Sequence, residues 1–283
     1  MRLQNSVNSM SKLTLKNESV PQGNSALKSK LTPKNQLLFE GTVAPQSSGK
    51  LTLNRKYTTI IFDLDGTLLD TLVDLNKSVN YALEKNGFPV KTLEETRRFL
   101  GNGMGRLVMS SLPEGTSEEI FNIVLGDFKK YYEIHSNDNT KLYEGIDKLL
   151  DILKKLNYNL AIVSNKVQSA VSTLRTRYFD TTISVAFGEQ VGIKRKPAPD
   201  MVFMAMKEFN ASPDETLYVG DSEVDIQTAI NAGIDCVSVD WGFRSADELM
   251  EAGATIIIEE PLALLERFLL REEGGEKKNE ILH

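Results

Sequence analysis

Two aspartates, Asp63 and Asp65, are the residues of this chain best suited to chemistry. They follow residues 57–62, a short segment rich in β-branched and aromatic side chains, and they precede Gly66. This composition predicts a buried β-strand that ends at the aspartates, with both carboxylates on the same side because side chains alternate along a strand. Two such carboxylates repel each other unless a cation lies between them. The pair favours a Mg²⁺ site with one carboxylate available as nucleophile and the other for proton transfer, whereas the alternative is a simple Asp-Gly turn.

Polar residues also follow two later apolar segments. Ser164 and Asn165 come after residues 159–163, and Asp221 and Asp225 come after residues 216–219. A further candidate, Lys196, lies in a predicted loop between these segments. Because the carboxyl ends of parallel strands share one edge of a sheet, these groups are expected to meet the first two aspartates there.

The elements that must position these groups alternate between strand and helix from residue 142 onward. Strands are predicted at 159–163, 183–187, 216–219, 236–239 and 255–258, and helices near 145–156, 167–177, 200–209, 223–232, 246–252 and from 261. Alternation of this kind predicts an α/β fold with a Rossmann-like parallel sheet that helices cover on both faces. Residues 56–71 and 142–272 are the predicted core.

Residues 72–141 show helical periodicity and no strand pattern, which predicts an all-helical cap domain inserted after the first strand. Thr92 and Glu95 fit a capping box, and Ser117 is the expected start of a long helix that runs towards His135. A glycine-rich break at residues 101–105 separates the helices on either side.

The composition narrows the classes of function. The chain has 283 residues, a single cysteine (Cys236) and a net charge of −6. Residues 1–56 carry +7 and the remainder −13, so the folded part is acidic and no nucleic-acid partner is expected. No apolar run is long enough for a membrane span, and one cysteine cannot form an intrachain disulfide, so we expect a cytoplasmic protein without a membrane partner.

The ends of the chain are polar. Residues 1–55 lack sustained apolar periodicity and are predicted to be a disordered extension; residues 273–283 are predicted to be a flexible tail. The basic, Ser-rich amino end is compatible with an organelle transit peptide, although it is rich in Lys rather than Arg. An extension without function is the alternative.

Taken together and in order, the motifs over residues 57–271 resemble those of the haloacid dehalogenase superfamily. They are a DxDGT segment at residues 63–67, a strand that ends in Ser164, the Lys196-Pro197 pair, and GDxxxD at residues 220–225. The helical insertion resembles the small cap of the phosphoglycolate phosphatase and β-phosphoglucomutase group.

The resemblance implies a role for each motif. Asp63 is expected to attack phosphorus and form an aspartyl phosphate, while Asp65 protonates the leaving alcohol and then activates water. Mg²⁺ is expected to bind the Asp63 carboxylate, the Asp65 carbonyl and Asp221, with Asp225 acting through water or hydrogen bonds. The implied phosphate-binding residues are Ser164, Asn165, Lys196, Gly66 and Thr67.

Several of these residues have alternative interpretations. Ser164 could cap the following helix, Lys196 could be a solvated member of a basic triplet, and Asp225 could be an acidic residue of a first helical turn. In the cap, Gly103 and Arg106 resemble a glycine-rich turn that approaches the substrate. Arg106 is a candidate partner for a substrate carboxylate, and a solvated arginine is the alternative.

The leading hypothesis is a Mg²⁺-dependent phosphatase for a small phosphate monoester, with phosphoglycolate as the first candidate, acting as a monomer or homodimer. A sugar phosphomutase is the second hypothesis, although no additional Lys or Arg contacts in the cap are evident. A noncatalytic regulator is the third. A dehalogenase is disfavoured because its chemistry needs neither Mg²⁺ nor the second aspartate.

Overall fold

The computed structural model describes residues 51–53 and 56–272. Strand β1, Leu51–Leu53, pairs antiparallel with the last strand, Leu270–Glu272. The prediction of disorder is therefore wrong for residues 51–53; the rest of that segment and the predicted tail lie outside the described residues. A three-residue Leu-Thr-Leu pattern gives little local signal, and its partner lies near the other end of the chain. These two strands form a unit separate from residues 55–269.

The core is a six-stranded parallel sheet, which confirms the predicted α/β fold. Its strands are β2 Thr59–Phe62, β5 Asn159–Val167, β6 Val185–Glu189, β7 Thr216–Gly220, β8 Asp235–Val239 and β9 Ile257–Ile258. They lie in the order β6-β5-β2-β7-β8-β9. The central strand β2 is buried along its whole length, in keeping with its largely apolar composition.

Helices follow the core strands as the alternating pattern predicts. They are Ile146–Lys155, Gln168–Phe179, Asp200–Phe209, Glu223–Ala232 and Ala246–Glu251, with a 3₁₀ turn at Pro213–Glu215. One side of the sheet packs on the helix Asp200–Phe209 through Met201, Val202 and Ala205, which are all fully buried. The helix predicted from Pro261 contains a π-helical turn at Leu265–Leu269.

Residues 72–141, which we refer to as the cap, contain four helices. They are α1 Leu72–Lys85, α2 Leu93–Phe99, α3 Gly103–Ser111 and α4 Glu118–His135. The capping box of Thr92 and Glu95 is present, and Ser117 caps α4. Buried residues such as Val79, Leu83 and Phe128 give the cap its own apolar centre. No helix within the described ranges is both long and apolar enough to cross a membrane.

Both connections between cap and core are held at one buried carboxylate. Asp74, in the first turn of α1, accepts hydrogen bonds from the backbone N–H and side chain of Asn139 and of Thr140, at 2.7–3.0 Å. Strands β3, Leu69–Asp70, and β4, Lys141–Leu142, pair beside this cluster. Burial tends to raise the pKa of Asp74, but the hydrogen bonds from Asn139 and Thr140 outweigh it and lower the pKa.

Replacing Asp74 with Asn is expected to lower the free energy of unfolding by about 2–4 kcal/mol, because buried donors lose a charged acceptor and face an NH₂ group. Since the lowered pKa means that this stabilisation is present at neutral pH and lost as pH falls, the difference from wild type should shrink on acidification. Urea unfolding at several pH values tests this. Glu94→Gln, which removes an exposed pair with Arg98, is the control and should change stability by less than about 0.5 kcal/mol.

Candidate active site

The strand register brings three polar strand ends to one level of the sheet. Phe62 is paired with Ile162 on one side and with Val219 on the other. The residues that follow, Asp63 and the polar ends of β5 and β7, therefore emerge side by side. The predicted convergence at the carboxyl edge is present in the structure.

Asp63 lies at the centre of this edge and is buried. Its Oδ1 accepts a hydrogen bond from the backbone N–H of Leu64 at 2.7 Å and lies 2.9 Å from Lys196 Nζ. Lys196 Nζ also donates to Asp225 Oδ1 at 2.7 Å and to the Tyr218 hydroxyl at 3.1 Å. The interpretation of Lys196 as a solvated residue is therefore wrong, since its side chain is only 2 % exposed.

Asp225 is fully buried and is held on both oxygens. Oδ1 accepts from Lys196 and from the Tyr218 hydroxyl, and Oδ2 accepts from the backbone N–H and the hydroxyl of Ser222. Asp225 therefore serves as a first-turn helix acid and as an ion-pair partner at once. With both oxygens engaged, it is better placed to hold Lys196 than to bind a metal directly.

Asp221 is fixed against the turn that follows Asp63. It accepts hydrogen bonds from the hydroxyl of Thr67 at 2.9 Å and from the backbone N–H of Phe243 at 2.8 Å. Gly66 packs directly against this carboxylate at φ +91°, and a Cβ there would lie 2.2 Å from Asp221 Oδ2. A glycine is required at this position both for the backbone conformation and for the close approach.

Burial and mutual repulsion raise the pKa values of Asp63 and Asp221. Burial raises the pKa of Asp63 to about 7; Lys196 opposes this shift and Asp225 adds to it. The pKa of Asp221 is raised well above its usual value, first by burial and then by Asp225 and Asp63. Burial alone would lower the pKa of Lys196, but the charges of Asp225 and Asp63 raise it well above its usual value.

The carboxylates form a cluster that fits a divalent cation. One oxygen each from Asp63, Asp221 and Asp225 lies within 4.8 Å of the others. Lys196 is the ammonium that contacts this cluster, and when all three carboxyl groups are ionised they exceed it by two negative charges. Carboxylate oxygens are ligands that Mg²⁺ prefers, so the donor set and its charge fit that ion.

Ser164 and Asn165 lie beside this cluster. The Ser164 hydroxyl accepts from the backbone N–H of Lys166 at 3.2 Å, which leaves its own O–H available to donate. The Asn165 amide donates to the carbonyl of Lys196 at 3.1 Å, and its Oδ1 is buried without a partner among the described residues. Asn165 thus holds the Lys196 loop, a role that the sequence did not suggest.

Asp65 forms a second ion pair at the rim of the site. Its Oδ1 accepts from Lys166 Nζ at 2.7 Å, and Lys166 also donates to the hydroxyl of Tyr132 at 2.6 Å. Tyr132 belongs to the cap helix α4, whereas Asp65 and Lys166 belong to the core. This chain of contacts connects the proposed acid/base residue to the cap.

A cavity between core and cap contains these groups. Its core residues include Asp63, Asp65 and Lys196, and Gly103 is one of its cap residues. The full lining is Asp63, Asp65, Leu75, Leu100, Gly101, Gly103, Met104, Leu107, Tyr132, Ser164, Asn165, Lys166, Lys196 and Phe243. The cap thus supplies a largely apolar wall opposite the charged edge of the sheet.

Arg106 is not among the residues that line this cavity, in contrast to its predicted role with a substrate carboxylate. Its side chain is exposed. The reason is that residues 103–111 form a helix rather than an extended glycine-rich turn. The helical period turns Gly103, Met104 and Leu107 towards the cavity and leaves Arg106 on the outer side.

Sequence reasoning missed Lys166 and Tyr132. The strand alternation that groups Asp63 with Asp65 also places Lys166 on the same side as Ser164, so a signal for the lysine was available. The sequence does not predict the role of Tyr132, because an aromatic residue is ordinary on the apolar face of an amphipathic helix. Residues 241–243 also border the site, since Phe243 lines the cavity and Trp241 Nε1 donates to the carbonyl of Thr67 at 3.0 Å.

Comparison with known proteins identifies relatives of this fold and site. The haloacid dehalogenase-like hydrolase family matches residues 60–239. The chain is 31 % identical to phosphoglycolate phosphatase 1 of Pseudomonas aeruginosa over 210 residues, which cover 71 % of this chain and 75 % of the relative. It is 30 % identical to the phosphoglycolate phosphatase of Pseudomonas savastanoi over 211 residues, or 71 % of this chain and 76 % of the relative.

Solved structures give the same result. A presumed phosphoglycolate phosphatase from Lactobacillus delbrueckii is 38 % identical with a TM-score of 0.73, and the match covers 76 % of this chain and 99 % of that one. A predicted phosphatase from Clostridium acetobutylicum is 27 % identical with a TM-score of 0.67, covering 75 % and 97 %. The chain belongs to the haloacid dehalogenase-like hydrolase family. It is an enzyme of the phosphoric monoester hydrolase class.

Proposed function

We propose that the protein is a Mg²⁺-dependent phosphatase that hydrolyses a small phosphate monoester through an aspartyl phosphate on Asp63, with phosphoglycolate as the leading substrate. The observation that carries this proposal is the contact between Asp63 and Lys196 at 2.9 Å inside the acidic cluster. A carboxylate nucleophile and a buried cation are thereby held at the same point. The names of the relatives support phosphoglycolate as the first substrate to test.

The residues of the site have distinct roles in this proposal. A carboxylate oxygen of Asp63 attacks phosphorus and displaces the alcohol, to which Asp65, in its protonated form, supplies a proton. Water activated by Asp65 then hydrolyses the aspartyl phosphate. Lys196 neutralises charge on the phosphoryl oxygens, and the hydroxyl of Ser164 donates to them.

The cation would be held by Asp63 and Asp221, with the carbonyl of Asp65 as a further ligand and Asp225 acting through Lys196. When bound, Mg²⁺ supplies positive charge that offsets the carboxylates and the incoming phosphate. Thr67 and the backbone N–H of Phe243 orient Asp221 for this purpose. Gly66 allows the turn after Asp63 to approach the Asp221 carboxylate closely, so that Asp63 and Asp221 can face the same cation.

The cap lining favours a phosphatase over a sugar phosphomutase. A mutase must retain a bisphosphorylated sugar, which calls for cationic cap residues around the second phosphate. Of the cap residues that line the cavity within the described ranges, none is Lys or Arg. The cations of the cavity, Lys166 and Lys196, both come from the core.

Chelation of divalent cations is expected to reduce hydrolysis of p-nitrophenyl phosphate to background, and added Mg²⁺ should restore it. An Asp221→Asn variant should require a higher Mg²⁺ concentration, because one anionic ligand is lost. Initial rates over a Mg²⁺ titration, with and without EDTA, measure both effects. Full activity in EDTA, or an unchanged Mg²⁺ requirement in the variant, would contradict the proposed cation site.

A further inference from the structure

Lys166 is a buried lysine that the proposed catalytic steps do not use. It lies near the end of strand β5, lines the cavity, and has a side chain that is only 3 % exposed. Burying an ammonium group costs free energy unless the group is paired, so the partners of Lys166 must be identified. Its pairing with Asp65 and Tyr132 accounts for only part of its hydrogen-bonding capacity.

An ammonium group has three N–H donors. Asp65 Oδ1 at 2.7 Å and the Tyr132 hydroxyl at 2.6 Å account for two of them. The third has no acceptor among residues 51–53 and 56–272. Because Lys166 lines the cavity, that unused donor is available to a molecule bound there.

The position of Lys166 relates it to the leaving alcohol of the substrate. Asp65 can protonate the ester oxygen only if that oxygen lies within hydrogen-bond reach of its carboxylate. Lys166 Nζ is itself 2.7 Å from Asp65, so it lies next to the leaving group. In a phosphate ester of a 2-hydroxy acid, the carboxylate carbon is two bonds from the ester oxygen. Such a substrate therefore carries an anion to the neighbourhood of Lys166.

The rest of the lining does not offer a competing cation on that side. Leu75, Leu100, Met104 and Leu107 form the apolar cap wall, and Arg106 lies on the outer side of its helix. Lys196 is engaged by Asp63 and Asp225 at the phosphoryl position. Lys166 is thus the cavity cation placed to meet an anion on the leaving group.

We propose that Lys166 determines substrate specificity by donating its third N–H to a carboxylate on the leaving alcohol, so that the enzyme selects phosphate monoesters of short 2-hydroxy acids. This inference rests on the proposed phosphatase function. Tyr132 is a positioning residue in this scheme, because its hydroxyl holds the ammonium in place from the cap.

The test compares phosphoglycolate with ethyl phosphate, which has a methyl group in place of the carboxylate. Lys166→Met should reduce the ratio of their kcat/KM values by about 10- to 100-fold, the range for one hydrogen bond between charged groups. A general loss of acid catalysis affects both esters and leaves the ratio unchanged. Lys166→Arg keeps the charge and should retain much of the preference.

Two further comparisons distinguish a loss of specificity from a folding defect in the variant. Lys166→Gln is a second neutral variant that keeps a polar end, and circular dichroism reports whether each variant folds. A second comparison needs only the wild-type enzyme. The analogue of phosphoglycolate with a neutral carboxamide in place of the carboxylate should have a kcat/KM lower by about 10-fold or more. Equal kcat/KM values for acid and amide would overturn the role of Lys166 without any substitution.

Arg106→Ala is the matched comparison, since it removes the other candidate cation. A changed ratio in Arg106→Ala together with an unchanged ratio in Lys166→Met would overturn this inference while leaving the phosphatase function intact. A wild-type enzyme that hydrolyses ethyl phosphate but shows no preference for phosphoglycolate would do the same. A wild-type enzyme that hydrolyses no phosphate monoester would overturn both proposals.

Discussion

Replacing Asp63 with Asn is expected to abolish turnover on every substrate. The amide keeps the shape of the side chain but lacks the anionic oxygen that attacks phosphorus, and it is a poorer ligand for Mg²⁺. It also leaves Lys196 with one acidic partner, Asp225, in place of two. The other carboxylate that contacts Lys196, Asp225, has both oxygens engaged in hydrogen bonds, so it is not placed to substitute as nucleophile.

Asp65→Asn is the informative counterpart. Its amide oxygen can still accept from Lys166, so the contact at 2.7 Å and the link to Tyr132 can persist. The variant loses proton transfer, which contributes about 10²- to 10⁴-fold to the rate. It should therefore retain some turnover with a good leaving group such as p-nitrophenolate, which needs little protonation, and it should accumulate aspartyl phosphate because activation of water is impaired.

Rapid-quench experiments with a ³²P-labelled ester separate the two variants. Acid-stable label on Asp65→Asn and none on Asp63→Asn is the expected result, with wild type as the reference. Label on Asp63→Asn, or equal residual activity in both variants, would contradict the assignment of nucleophile and acid/base.

Much of the core was predictable because its signals are local. A buried parallel strand is short and uniformly apolar, as in Thr59–Phe62, and polar residues after such strands mark the carboxyl edge of the sheet. Ser164 and Asp221 were found in this way, and the structure places them beside Asp63. The capping box of Thr92 and Glu95 was equally local and is present.

The features that escaped prediction depend on distant contacts. The role of Lys166 depends on its hydrogen bond to Tyr132, a residue of a cap helix. No sequence pattern links those two positions. For Arg106, the glycine-rich segment suggested a turn that approaches the substrate, whereas residues 103–111 form a helix with Arg106 exposed, in keeping with the alternative of a solvated arginine. The strand Leu51–Leu53 likewise depends on a partner near the opposite end of the chain.

Lys196→Met is expected to reduce kcat/KM by about 10³-fold or more while Mg²⁺ binding persists. The ammonium contacts Asp63 at 2.9 Å and Asp225 at 2.7 Å, so its loss removes charge stabilisation of the phosphoryl group and leaves two buried carboxylates uncompensated. A divalent cation then becomes the remaining source of positive charge for the cluster. The melting temperature should therefore fall without Mg²⁺, and added Mg²⁺ should raise it more than in wild type.

Lys194→Met is the matched control, because it makes the same substitution two positions away on the same loop, where the side chain is exposed. Its kcat/KM and its response to Mg²⁺ should equal those of wild type. Steady-state rates with p-nitrophenyl phosphate and thermal unfolding over a Mg²⁺ series measure both properties for the two variants. If Lys196→Met lost activity but showed the same Mg²⁺-dependent rise in melting temperature as wild type, the lysine would not be balancing the charge of the cation site. If both substitutions reduced turnover equally, the basic triplet would act through general surface charge instead of through the buried contact between Lys196 and Asp63.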